Sequence, residues 1–171
     1  METLLITLSD IAQYKAISAN LNTDKKVNPF ILEAQNIDLK KMLGNSFFYD
    51  LIADFNDSPS LQKYNTLFNG GTWTCGNRSY THKGLKTVLV YLSSSRITMA
   101  SNIEATAFGQ VVKRNEYSDK VSESTLIRMI EQDKSTALAF FDDVKKYMDD
   151  NKSLFPLWGC VSFNRTKITG A

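Results

Sequence analysis

The chain is poor in the residues that most often carry chemistry. Its 171 residues include one histidine, His82, and two cysteines, Cys75 and Cys160. A single histidine excludes His-based metal clusters and the His–Glu–His pattern of zinc peptidases, each of which needs at least two imidazoles. Two cysteines far apart in sequence, outside any CxxC pair, are too few for a disulfide framework. Free thiols in a reducing compartment are the expectation. No glycine-rich stretch is followed by a phosphate-binding lysine; Gly70-Gly71 and Gly76 read as turn residues. Long apolar runs are missing as well. The longest are Val88 to Leu92 and the broken stretch Leu4 to Leu8, far short of the ~20 residues that cross a bilayer. The N-terminus carries neither the basic start nor the cleavage site of a secretory signal, so the cytoplasm in which the chain is made is its expected location. Charge of one sign is also lacking. Twenty Lys and Arg against 18 Asp and Glu leave a net +2, which makes no strong case for nucleic acid or a membrane as main partner.

What is present is helical patterning around a substantial apolar content of 43%, enough for one domain over residues 1–171. Met1 to Leu8 reads as a short strand or an ordered arm. Ser9 and Asp10 look like the cap of a helix to about Ile17. Pro29 suits the first turn of a helix to Leu43 that carries Phe30, Ile31, Ala34, Ile37, Leu39, Met42 and Leu43, with Gly44 as its cap. A further helix starts at Asn45 or Ser46 and carries Phe47, Phe48, Leu51, Ile52 and Phe55. Ser58-Pro59 signals another, with Leu61, Tyr64, Leu67 and Phe68. Residues 72–82 read as a β-hairpin, because threonines and aromatics flank the pair Gly76-Asn77.

Gly84 opens a helix to about Asn102 that is apolar on most faces, as a central helix is. The small residues Ser93 to Ser95 would let a neighbour approach closely. Residues 105–121 mix Phe108-Gly109, the β-prone Val111-Val112 and the charged Lys113-Arg114, and read as an extended arm or strand pair. Glu123 to Asp150 is a long helix with one apolar stripe: Leu126, Ile130, Ala137, Phe140, Phe141, Val144, Tyr147 and Met148. Val161 to Ile168 alternates like an edge strand, within a C-terminal segment of residues 161–171. The fold class expected is mainly α: a helical bundle with a small β-hairpin and extended arms.

His82 would have to serve any Ser–His or Cys–His pair, yet it follows a hairpin strand with no nucleophile motif nearby and reads as a surface or hairpin residue. The acidic pairs Asp142-Asp143 and Asp149-Asp150 fall on an amphipathic helix, where adjacent residues diverge. The basic pairs Lys25-Lys26, Lys40-Lys41 and Lys113-Arg114 are diluted by acids and form no stripe. We therefore expect no enzyme, no cofactor and no bound metal. Extended segments on a helical body leave backbone groups for neighbours to pair with. The candidate contacts with neighbouring subunits or other partners are Phe108, Val111, Val112, Lys113, Arg114, Val161, Phe163, Arg165 and Ile168.

Several stretches, in the same order, resemble the head–tail connector or neck adaptor proteins of Bacteroidetes phages, including crAss-like phages. They are Phe30 to Gln35 with Asp38-Leu39, Leu43 to Leu51, Leu67 to Gly71, Lys83 to Lys86, Thr106 to Lys113, Tyr147-Met148 through Pro156-Leu157-Trp158, and Phe163 to Ile168. The stretch up to about Asn28 carries little of it. The resemblance implies a non-enzymatic virion protein that forms a ring of twelve subunits beneath the portal. Its partners would be its own copies, the portal and other neck or tail proteins, with non-specific DNA contact in the channel. No catalytic residue is implied. The alternatives are a tail-completion or terminator protein and a DNA-binding packaging accessory factor.

Overall fold

The computed structural model describes residues 3–17, 21, 23–56, 61–101, 103–106, 109–112 and 122–159. In chain order they form helices α1 (Leu8–Ala12), α2 (Asp24–Glu33), a π-helical segment (Ala34–Leu39), α3 (Lys40–Leu43), α4 (Asn45–Asn56) and α5 (Gln62–Asn69). Strands β1 (Gly71–Cys75) and β2 (Arg78–His82) follow, then α6 (Gly84–Ser101), β3 (Ile103–Thr106), β4 (Gly109–Val112) and α7 (Glu123–Asp150). The protein is mainly helical, with small antiparallel β elements.

Helix α6 lies at the centre. Leu85, Val88, Leu89 and Val90 are wholly buried although they point in different directions around the helix, so neighbours must cover α6 on most of its faces. One neighbour is α7, whose stripe Ala137, Phe141, Val144, Tyr147 and Met148 is buried. One serine of α6 serves this contact: Ser94 Oγ donates to Asp133 Oδ2 at 2.7 Å. On another side lies the π-helical segment, fastened by Arg96 to Asp38 at 2.7 and 3.1 Å and to Glu33 at 2.9 Å. Phe47 of α4 joins a ring cluster with Tyr64, Phe155 and Trp158, so the turns after α7 close the core.

Strands β1 and β2 pair in register from Gly71↔His82 to Cys75↔Arg78, around a turn at Gly76-Asn77. Gly76 has a φ of 60°, the left-handed conformation that such a turn requires. Gly84, at the hairpin's exit, is needed for a different reason. A Cβ there would lie 2.2 Å from the Phe68 carbonyl oxygen, so only glycine lets the two chain segments cross.

Several expectations need correction. Helix α1 stops at Ala12 rather than near Ile17, with a turn at its C-cap. Helix α2 begins at Asp24, so Pro29 sits inside it rather than in its first turn. An acidic first turn and the full burial of Val27 and Ile31 outweigh the missing N–H bond. The helix expected to Leu43 is interrupted by the π-helical turn, which inserts extra residues and breaks the 3.6-residue spacing. Ile37, expected in the core, is 55% exposed, whereas polar Gln35 is buried. Gln35 has a task there. Its Oε1 accepts from Leu5 N at 3.0 Å and its Nε2 donates to Thr3 O at 2.9 Å. One side-chain amide thus pairs with the N-terminal arm as a neighbouring strand would. Phe55, Leu61 and Met99 also prove exposed.

Candidate assembly interface

The two long helices are antiparallel, and two contacts set their register: Ser94 with Asp133, and Tyr91 with Phe140 at 5.7 Å between ring centroids. Equal rise along both helices then brings Met99 level with the α7 turn containing Met129 and Ile130. At this level the core ends. Asp133 is the first buried residue of α7; none from Glu123 to Gln132 is buried. The apolar sequence continues regardless. Leu126 and Ile130, on the same stripe, are half-buried. Met99, Ile127 and Met129 are 54%, 48% and 48% exposed. Glu123, Arg128, Glu131 and Lys134 are exposed around them. Apolar side chains set among charges of both signs are the composition of a docking surface.

The second hairpin continues from this end of α6. Strands β3 and β4 pair antiparallel, Ile103↔Val112 to Thr106↔Gly109. They form a two-stranded sheet of their own, separate from β1–β2. Each strand uses one edge on the other, and the outer edges find no strand among the described residues.

Of the residues singled out from sequence, Val111 and Val112 fall in β4, opposite Glu104 and Ile103. Phe108, Lys113, Arg114, Val161, Phe163, Arg165 and Ile168 lie outside the described residues. Ile127 and Met129 fall beside the apolar stripe read along α7, and Met99 of α6 is exposed with them. The signal was the crowding of Leu126-Ile127-Arg128-Met129-Ile130, where four apolar residues in five exceed what one helix face can bury.

Several polar groups elsewhere are engaged in structure. Asp133 accepts from both Ser94 and Lys15, tying the turn after α1 to the α6–α7 pair. Lys15 also lies over the Tyr91 ring. Asp10 closes the capping box of α1 with Thr7 and pairs with Lys86. Burial pushes its carboxyl upward, but the bonds from Lys86 and Thr7 outweigh that and hold it below the usual range. Asp38 and Glu33 raise the Arg96 guanidinium still further, the Asp38 bond most of all and against a smaller effect of burial. Burial, reinforced by its bond to Asp50, keeps the Tyr64 hydroxyl protonated. Among the described residues no three His, Cys, Asp or Glu side chains converge where a metal could bind.

His82 requires its own correction, for it is no surface residue. It is 2% exposed and ends β2. Its ring stacks on Tyr147 at 4.4 Å and 20°, with Trp73 at 5.7 Å. Neither ring nitrogen has a hydrogen-bond partner.

Fold and surface together define a helical protein whose long helix pair ends in an uncovered apolar tip with a hairpin beside it. The chain belongs to the Family of unknown function (DUF6712), whose profile matches residues 39–168. That region holds both hairpins, α6 and α7. No curated protein and no solved structure matches the chain. Among the described residues no helix is long and apolar enough to cross a membrane.

Proposed function

We propose that the protein is a non-enzymatic structural adaptor of the neck of a tailed bacteriophage, a ring of twelve copies that joins portal to tail around the DNA channel. The observation that carries this reading is the uncovered end of the α6–α7 pair. A helical body fixed by Arg96, Asp133 and a ring-rich core supplies rigidity. Met99, Ile127 and Met129, with the edges of β3 and β4 that pair with no other strand among the described residues, supply surface for a neighbour. Repeated heterologous contact of such a surface with a different face of the next copy closes a ring if the rotation per step divides the circle. Strand addition to β3 or β4 would give directional pairing, with residues such as Val111 and Val112 contributing specificity. The sequence resemblance to neck adaptors points the same way.

The test is the mass of the purified chain in solution, alone and mixed with the portal protein encoded in the same genome. The expected outcome is a discrete complex of portal with many copies of this chain. A chain that stays monomeric and ignores the portal sinks the proposal. Tight, steeply salt-dependent DNA binding without portal binding would instead make it a packaging accessory factor.

A further inference from the structure

We infer that His82 is an acid-sensitive latch that holds the β1–β2 hairpin against α7 when neutral and releases it when protonated. The inference begins with the two unpartnered ring nitrogens of an imidazole that is almost wholly buried. A neutral imidazole already leaves one donor and one acceptor without partners. The cation would leave two donors unpaired and bring a full charge out of water, a far larger cost.

The surroundings do little to welcome that charge. On α7, Asp143 attracts it at a distance, and the stacked face of Tyr147 would attract it too. Neither bonds a ring nitrogen. Tyr147 is itself held protonated by burial. The other charged groups nearby are engaged: Lys146 lies over the Tyr80 ring at 3.8 Å, and Asp150 accepts from the Trp73 indole at 2.8 Å. On α5, the Tyr64 hydroxyl is bound to Asp50. Burial outweighs the pull of Asp143, and the imidazole takes up its proton below the ordinary pH of 6.5.

The backbone explains why the whole hairpin must respond. His82 is fixed within its own hairpin, because the chain around it packs tightly on the segment that enters β1. A Cβ on Gly70 would lie 2.7 Å from the His82 carbonyl oxygen, and Gly84 presses against Phe68 still more closely. On the paired strand, Gly71 sits directly opposite. His82 shares the inward sheet face with Trp73, which is also buried. An imidazole that reaches water therefore takes its strand off α7. Linkage gives the sign. The released state binds its proton at about pH 6.5 and the docked state only at lower pH. Docking is thus favoured in full above that range and weakens about tenfold per pH unit below it, until the docked state protonates too.

A single histidine makes the test clean, because one imidazole proton resonance reports it in the intact chain. We expect that resonance to titrate below pH 6.5. We also expect the hairpin's opening equilibrium, from amide exchange corrected for the intrinsic rate, to rise about tenfold per unit across the same window, while α6 stays protected. In His82→Leu the hairpin should stay docked and lose this pH dependence. A titration at or above 6.5 overturns the inference. So does a hairpin whose opening is independent of pH, or a dependence that persists in His82→Leu. Should that variant fail to fold, the titration and exchange of the natural chain decide alone.

Discussion

The two hairpins differ in the way that matters most for this protein. Strands β1–β2 lie against the body: Trp73 and His82 are buried, Trp73 is bonded to Asp150, and Tyr147 stacks on His82. Strands β3–β4 continue from the far end of α6, where α7 no longer has a buried residue. The same contrast runs along α7 itself. Its second half, with Phe141, Val144, Tyr147 and Met148, belongs to the core; its first two turns carry comparable apolar residues that the body leaves uncovered. Hydrophobic sequence does not by itself report burial within the subunit. The proposed interface rests on such apolar residues left exposed at one end of the helix pair.

The comparison can be broken most easily at the core end. Phe47→Ala removes the ring that touches Tyr64, Phe155 and Trp158, and should destabilise by about 3–5 kcal/mol in denaturant unfolding. Asp133→Ala sits at the boundary between the two halves of α7. It strands the buried Ser94 hydroxyl and frees Lys15, which is one-third exposed and recovers water. The loss should be about 1–2 kcal/mol after that discount, read from thermal unfolding. Gln35→Leu deletes both bonds to the N-terminal arm. We expect a loss of about 1 kcal/mol, together with faster proteolytic cleavage near residues 3–7.

At the tip the expectation reverses. The double variant Ile127→Ser, Met129→Ser should change stability by less than about 0.5 kcal/mol, since both side chains are half in water already. The same variant should fail to form the complex with the portal ring. A tip variant that unfolds would move these residues into the core. One that assembles normally would remove the tip from the interface.

Much of this architecture was legible in the residues. The all-round apolar character of Val88, Leu89, Val90 and Leu92 marked α6 as central, because such a helix can only be stable inside. The Gly76-Asn77 pair marked the hairpin turn, because it needs left-handed backbone. What stayed hidden depended on partners distant in sequence. The burial of polar Gln35, in the π-helical turn at Ala34–Leu39, goes with bonds to residues 3 and 5, some thirty positions away. The burial of His82 follows from Tyr147, sixty-five positions on.

By itself, then, the sequence determined the helical class, the central helix, the first hairpin and the scarcity of chemically reactive side chains. These follow from local periodicity, turn chemistry and composition. Only the tertiary structure decided which apolar residues are left over. Which of the crowded residues Leu126, Ile127, Met129 and Ile130 stay exposed depends on which face of α7 its neighbours cover, a contact between segments distant in sequence.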